Sequence, residues 1–95
     1  MERFIVAPAS VLRFAPHIVF RFDEVRKSWI IMAPERLMMP DEQAVEILQL
    51  IDGTTSVDGI IDVLAAKYTQ APRDAIGADV VAMLQDLADK GCLSG

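Results

Sequence analysis

Two periods divide this chain. Residues 17–39 read as strands, the first of them with apolar positions at every second residue, and from residue 41 onward apolar positions recur every third or fourth. In His17-Ile18-Val19-Phe20-Arg21-Phe22 the residues Ile18, Phe20 and Phe22 share one face and Arg21 takes the other, as in a half-buried strand. Asp23-Glu24-Val25-Arg26-Lys27 reads as a polar turn, so a hairpin follows. The stretch Ser28 to Ala33 is apolar on both faces, with Trp29, Ile30, Ile31 and Met32 in a row, which predicts a central strand covered on both sides. Pro34 and Pro40 bracket a third segment, Glu35-Arg36-Leu37-Met38-Met39. Proline donates nothing to a ladder, so this segment is expected at a sheet edge.

Three helices are predicted over residues 41–91. Asp41 caps the first, Ala44, Ile47, Leu48 and Ile51 mark its buried stripe, and Asp52-Gly53 stops it. Ser56 caps the second, buried along Val57, Ile60, Ile61, Leu64 and Tyr68. Pro72 stands at the start of the third, whose stripe is Ile76, Val80, Met83, Leu84 and Leu87, with Gly91 at its end. Ahead of the sheet, Pro8 and Pro16 break up residues 1–16. They form an arm that is either mobile or exchanged between two copies, which leaves monomer and swapped dimer both open. The expected fold is α+β and winged helix-turn-helix-like. A small antiparallel three-stranded sheet precedes three helices in one domain over residues 17–93.

Composition agrees with a folded unit. The 95 residues are 53% hydrophobic and 24% charged, enough for one modest core. No apolar run approaches the roughly 20 residues needed to span a bilayer. The lone cysteine, Cys92, excludes an internal disulfide and any multi-cysteine zinc site. With no signal peptide visible, that points to the cytoplasm. Motifs for phosphate loops, nucleophile elbows and HExxH metal helices are absent, and the carboxylates are scattered. His17 reads as a strand-end surface residue and Cys92 as a small hydrophobe. The chain therefore offers no catalytic, metal or cofactor site.

Charge narrows the partners. The net charge is −5. Residues 1–40 carry six basic and four acidic groups, and residues 41–95 carry three basic and ten acidic ones. A winged-helix DNA binder would press its last helix against phosphates, yet Asp74, Asp79, Asp86 and Asp89 outnumber Arg73 and Lys90 there. A protein-binding role fits better, whether for a free peptide or as a structural subunit of a complex. An edge strand at residues 35–39 can accept an added peptide strand. The third helix carries an apolar arc of about 160°, from Met83 round to Val81. Either the whole arc is core, or the flank of Gly77, Val81, Leu84 and Ala88 lines a groove that Gly77 lets a backbone approach closely. Met38, Met39 and Met83 are either core filling or an adaptable lining.

The ordered series Trp29-x-x-x-Ala33-Pro34-Glu35-Arg36, then Asp52-Gly53, then Leu84-Gln85-Asp86-Leu87-x-x-Lys90-Gly91 resembles the pyrroloquinoline quinone biosynthesis protein D family over about residues 8–93. Met32, Met38 and Met39 stand where that family's pattern leads one to expect Leu or Val. The resemblance implies a non-catalytic peptide-recognition module without a cofactor of its own. Such a module presents a ribosomally made precursor peptide to a radical S-adenosylmethionine enzyme. It also implies a binding site: Glu35, Arg36, Leu37, Met38 and Met39 for backbone pairing, and Gly77, Val81, Leu84 and Gln85 for a helical wall. On that assignment Leu84→Asp weakens peptide binding while the helices survive.

Overall fold

The computed structural model describes residues 4–95. Its elements run β1 (Arg13–Phe14), β2 (Val19–Asp23), β3 (Ser28–Ala33), β4 (Arg36–Met38), α1 (Glu42–Leu48), α2 (Val57–Lys67), α3 (Arg73–Asp89) and β5 (Leu93–Ser94). An antiparallel three-stranded sheet in the order β2-β3-β4 precedes three helices, an α+β fold. Phe20 lies opposite Ile31 and Ile31 opposite Met38, so one row of apolar side chains crosses the inner face. Phe14, Phe20, Trp29 and Phe22 continue that row as an aromatic chain, with ring centroids 5.5, 4.8 and 6.0 Å apart. Ile30 and Ile31 are both buried although they point to opposite faces, as expected of a central strand. The cover is partial, however: Val19, Met32 and Leu37 form an exposed row across the outer face.

Local chemistry sets the boundaries. The turn after β2 is organised by Asp23, a buried strand-end carboxylate. It accepts from the Val25 N–H at 3.0 Å and from Arg26 at 2.6 Å, and the Arg26 guanidinium holds its carboxyl below the usual range. Lys27 closes that turn in the left-handed region, at φ 56. Asp41 caps α1 by accepting from the Ala44 N–H at 2.8 Å, and Ser56 caps α2 through the Gly59 N–H at 3.1 Å. Gly91 ends the α3 region at φ 81.

Three expectations change. α1 ends at Leu48, so Ile51 lies in the connection rather than on the helix. The Asp52 carboxylate there accepts from the N–H and hydroxyl groups of both Thr54 and Thr55, which pulls its pKa to about 2. Tyr68 caps the end of α2 with its ring half-exposed rather than buried. The arm also proves to be an integral part of the fold beyond its first three residues, which lie outside the described ones. Val6, Leu12 and Ala15 are buried in the core, and β1 pairs antiparallel with β5. The carbonyls of Ser10 and Pro8 accept from the N–H groups of Val57 and Asp58 at 2.8 and 2.9 Å. They satisfy donors at the start of α2 that have no partner within the helix. Val80, Leu84 and Leu87 of α3 meet Ile60, Ile61 and Leu64 of α2 in the same core.

Candidate functional site

β4 is short because two prolines confine it. Pro34 and Glu35 form the two-residue turn from β3, and Pro40 ends the strand before the Asp41 cap. β3 pairs with one edge of β4, and among the described residues no strand pairs with the other. Arg36 and Met38 lie opposite Ala33 and Ile31, on the inner face, and Leu37 lies opposite Met32, on the outer one. Leu37 and Met39 are 40% and 56% exposed, Met38 is half-buried, and Glu35 and Arg36 are exposed. Arg36 has no carboxylate partner among the described residues. The edge therefore combines open backbone groups, two apolar side chains and one uncommitted cation.

The residues expected to form the opposite wall do not meet this edge. Leu84 is fully buried, at 0% exposure, so it belongs to the core and cannot line a groove. A charge placed there would unfold the chain rather than test binding. Gly77 faces α2, where an added Cβ would lie 3.5 Å from Ile61 Cδ1. Its small size serves the packing of the two helices. Val81 shares a shallow hollow with Pro8 and Ile61. Gln85 is occupied: its Oε1 accepts from the Val6 N–H and its Nε2 donates to the Phe4 carbonyl, both at 2.8 Å. This side-chain amide grips the backbone of the arm at two points, as a neighbouring strand would.

The flank of α3 that turns toward α1, the element that follows β4, is a different one. At about 100° per residue, Met83 and Gln85 lie some 160° apart around the helix. Asp79 and Met83 face Asp41, Ala44 and Ile47, just beyond the end of β4, across a cavity of about 280 Å³. Just beyond the end of α3, burial pushes the Cys92 thiol up. Of the three methionines considered as a lining, Met83 and Met38 are half-buried at this flank and edge, while Met39 is exposed.

Sequence reasoning also missed a polar cluster joining α1 to α2. Glu46 takes an ion pair from Lys67 and accepts from the Tyr68 hydroxyl at 2.5 Å. The Lys67 ammonium holds the Glu46 carboxyl below its ordinary range, and the carboxylate raises both Lys67 and Tyr68. No sequence signal marks this cluster, because Glu46 is 21 residues from its Lys67 partner. Among the described residues no group of three or more His, Cys, Asp or Glu is placed to hold a metal ion, and no helix is long and apolar enough to cross a membrane.

A family described as Coenzyme PQQ synthesis protein D (PqqD) matches residues 28–93. The chain belongs to the PqqD family. It is 61% identical, over 89 residues, to a protein of Rhodopseudomonas palustris (strain BisB5) named PqqA binding protein, covering 94% of this chain and 86% of that one. The PqqD truncation of Methylobacterium extorquens PqqCD, solved by NMR, superposes with a TM-score of 0.77 at 37% identity, covering 95% of each chain. That protein is described as a functional, stand-alone recognition element for ribosomally synthesized and post-translationally modified peptides. PqqD from Xanthomonas campestris superposes with a TM-score of 0.54 at 29% identity, covering 90% of this chain and 93% of that one.

Proposed function

We propose that this chain is a non-catalytic adaptor that binds PqqA, the precursor peptide, and presents it to a radical S-adenosylmethionine enzyme of coenzyme PQQ biosynthesis. The observation that carries this reading is the open edge of β4, which leads in the chain to Asp41 at the α1–α3 groove, in a chain whose relatives are named PqqA binding protein. A peptide paired to Arg36, Leu37 and Met38 gains main-chain hydrogen bonds and a fixed direction. Holding it near the modifying enzyme raises its effective concentration there without any chemistry by the adaptor. The wall we assign is Asp79 and Met83, in place of the flank that the arm and α2 cover.

The charge of α3 argues against binding duplex DNA. Arg73 is paired with both Asp58 and Asp62, and Lys90 with Asp86. The cation of the helix and the one at its C-cap are thus committed, while Asp74 and Asp79 are exposed. A phosphate backbone would meet uncompensated negative charge.

The test is a titration of synthetic PqqA into isotope-labelled protein, followed through backbone amide shifts. Shifts centred on residues 36–39 with Met83 and Asp79 are the expected result. Binding that leaves this edge silent would discard the site, and no binding with the radical enzyme present as well would discard the adaptor.

A further inference from the structure

Strand addition to β4 fixes the path of a bound peptide but leaves its side chains without pockets. The groove that begins at Asp41 continues past the cavity already described. A second cavity, about 290 Å³, shares Gln43, Ile47 and Asp79 with it and runs between α1 and the α2–α3 turn. Its floor is apolar: Ile47, Leu64 and Val80 are buried there, with Ile76 beside them. Ala71 and Ala75 form a low, exposed wall, and Tyr68 stands at the mouth with its hydroxyl fixed by Glu46.

The rim carries a charge imbalance. Glu46 is neutralised by Lys67. Asp79, common to both cavities and exposed, has no cation and no hydrogen-bond donor among the described residues. Asp41 adds a second carboxylate, used as the α1 cap, and no Lys or Arg lines either cavity. A cavity of this size suits one large side chain rather than a cofactor. An apolar floor under a bare carboxylate complements an apolar side chain with a cation close by.

We infer that this groove is the specificity pocket of the peptide site. It seats one bulky apolar side chain of the precursor over Ile47 and Ile76, and Asp79 pairs with a Lys or Arg near that anchor in the peptide. The inference rests on the PqqA-binding reading and assigns its side-chain chemistry. The groove continues directly from the residues that follow β4, so a peptide leaving the sheet edge runs into it.

Two variants of the full chain test it. Ala75→Trp closes the mouth from an exposed helix position, and Asp79→Lys reverses the rim charge. Affinity for synthetic PqqA is read by calorimetry, folding by circular dichroism, and the Ile47 and Ile76 methyl signals by NMR. The expected result is an affinity loss of about tenfold or more for Ala75→Trp and about fivefold for Asp79→Lys. The salt dependence of binding shrinks in the second variant. Both methyl signals of the unaltered chain shift on PqqA addition. Wild-type affinity in both folded variants, with silent methyls, overturns the pocket while β4-centred amide shifts keep the adaptor. Failure of the unaltered chain to bind PqqA, with the radical enzyme present as well, overturns both.

Discussion

α3 has two flanks of similar apolar character and opposite fates. The flank of Gly77, Val81 and Gln85 is closed apart from a shallow hollow beside Pro8, packed by Ile61 of α2 and gripped to the arm at Phe4 and Val6. The flank of Asp79 and Met83 is open, facing the cavity that starts where β4 ends. A helix needs about 100° of apolar arc to sit on a core, and this one carries about 160°. The surplus lies on both sides of the buried line through Val80, Leu84 and Leu87, so its width says that something more is covered without saying which side. Here 79 residues separate the two groups that close one side, Val6 and Gln85.

The severest way to break the comparison is to attack the line between the flanks. Leu84→Asp buries an unpaired charge in the centre of the core, where it is expected to cost about 4 kcal/mol or more. A domain of this size is stable by roughly 5–14 kcal/mol. Thermal melting should show a loss of between about a third and all of that stability, and loss of PqqA binding in a melted sample would report unfolding rather than a missing contact. A variant that melts like the parent would put Leu84 on a surface after all.

Gln85→Ala tests the closed flank alone. It removes both backbone contacts to the arm, with an expected cost of about 1–3 kcal/mol, since the half-buried Val6 N–H loses its acceptor. Hydrogen exchange at Val6 should speed up while PqqA affinity stays within about twofold. A large affinity loss in a folded protein would return Gln85 to the peptide site.

Met39→Glu should do the reverse. At 56% exposure, Met39 contributes little to folding, so stability should move by no more than about 0.5 kcal/mol. PqqA affinity should fall by about tenfold, equivalent to about 1.4 kcal/mol, because the new charge sits at the edge where the peptide pairs. Unchanged affinity would move the pairing strand elsewhere.

This contrast also marks what the sequence discloses. The caps at Asp41 and Ser56, the stop at Gly91 and the edge between Pro34 and Pro40 are local devices, and each acts on backbone groups a few residues away. They are legible because the residue type and its target lie in one short window. β1 and β5 are two residues long and show no period, and they pair across nearly the whole chain. The arm reads as irregular because it forms little regular structure of its own, yet its carbonyls complete the start of α2. Half of the candidate site, the β4 edge, is therefore visible in advance. The helical wall is not, because the flank left free depends on where a distant segment lands.

Acid should separate the two flanks most gently. On the open side, the Lys67 ammonium and the Tyr68 hydroxyl lower the Glu46 carboxyl below its ordinary value of 4.5. A carboxyl lowered by folding adds stability above its unfolded pKa, and that contribution disappears as pH falls through the lowered value. Between about pH 5 and the acid side of that value, the ties from Glu46 to Lys67 and Tyr68 should loosen. Tyr68 fluorescence and its neighbours' amide shifts should then change. On the closed side, the Val6 N–H is held by the Gln85 amide oxygen and the Phe4 carbonyl by the amide nitrogen, which also donates to Asp89 Oδ1; the Val6 contact itself has no titrating atom. Val6 should therefore keep its exchange protection, after correction for the intrinsic pH dependence of exchange, while Tyr68 responds. Simultaneous loss at both residues would mean that acid melts the domain as a unit and that the flanks are not independent. Glu46→Gln refines the test: it should remove the acid response of Tyr68 and leave Val6 as it is in the parent.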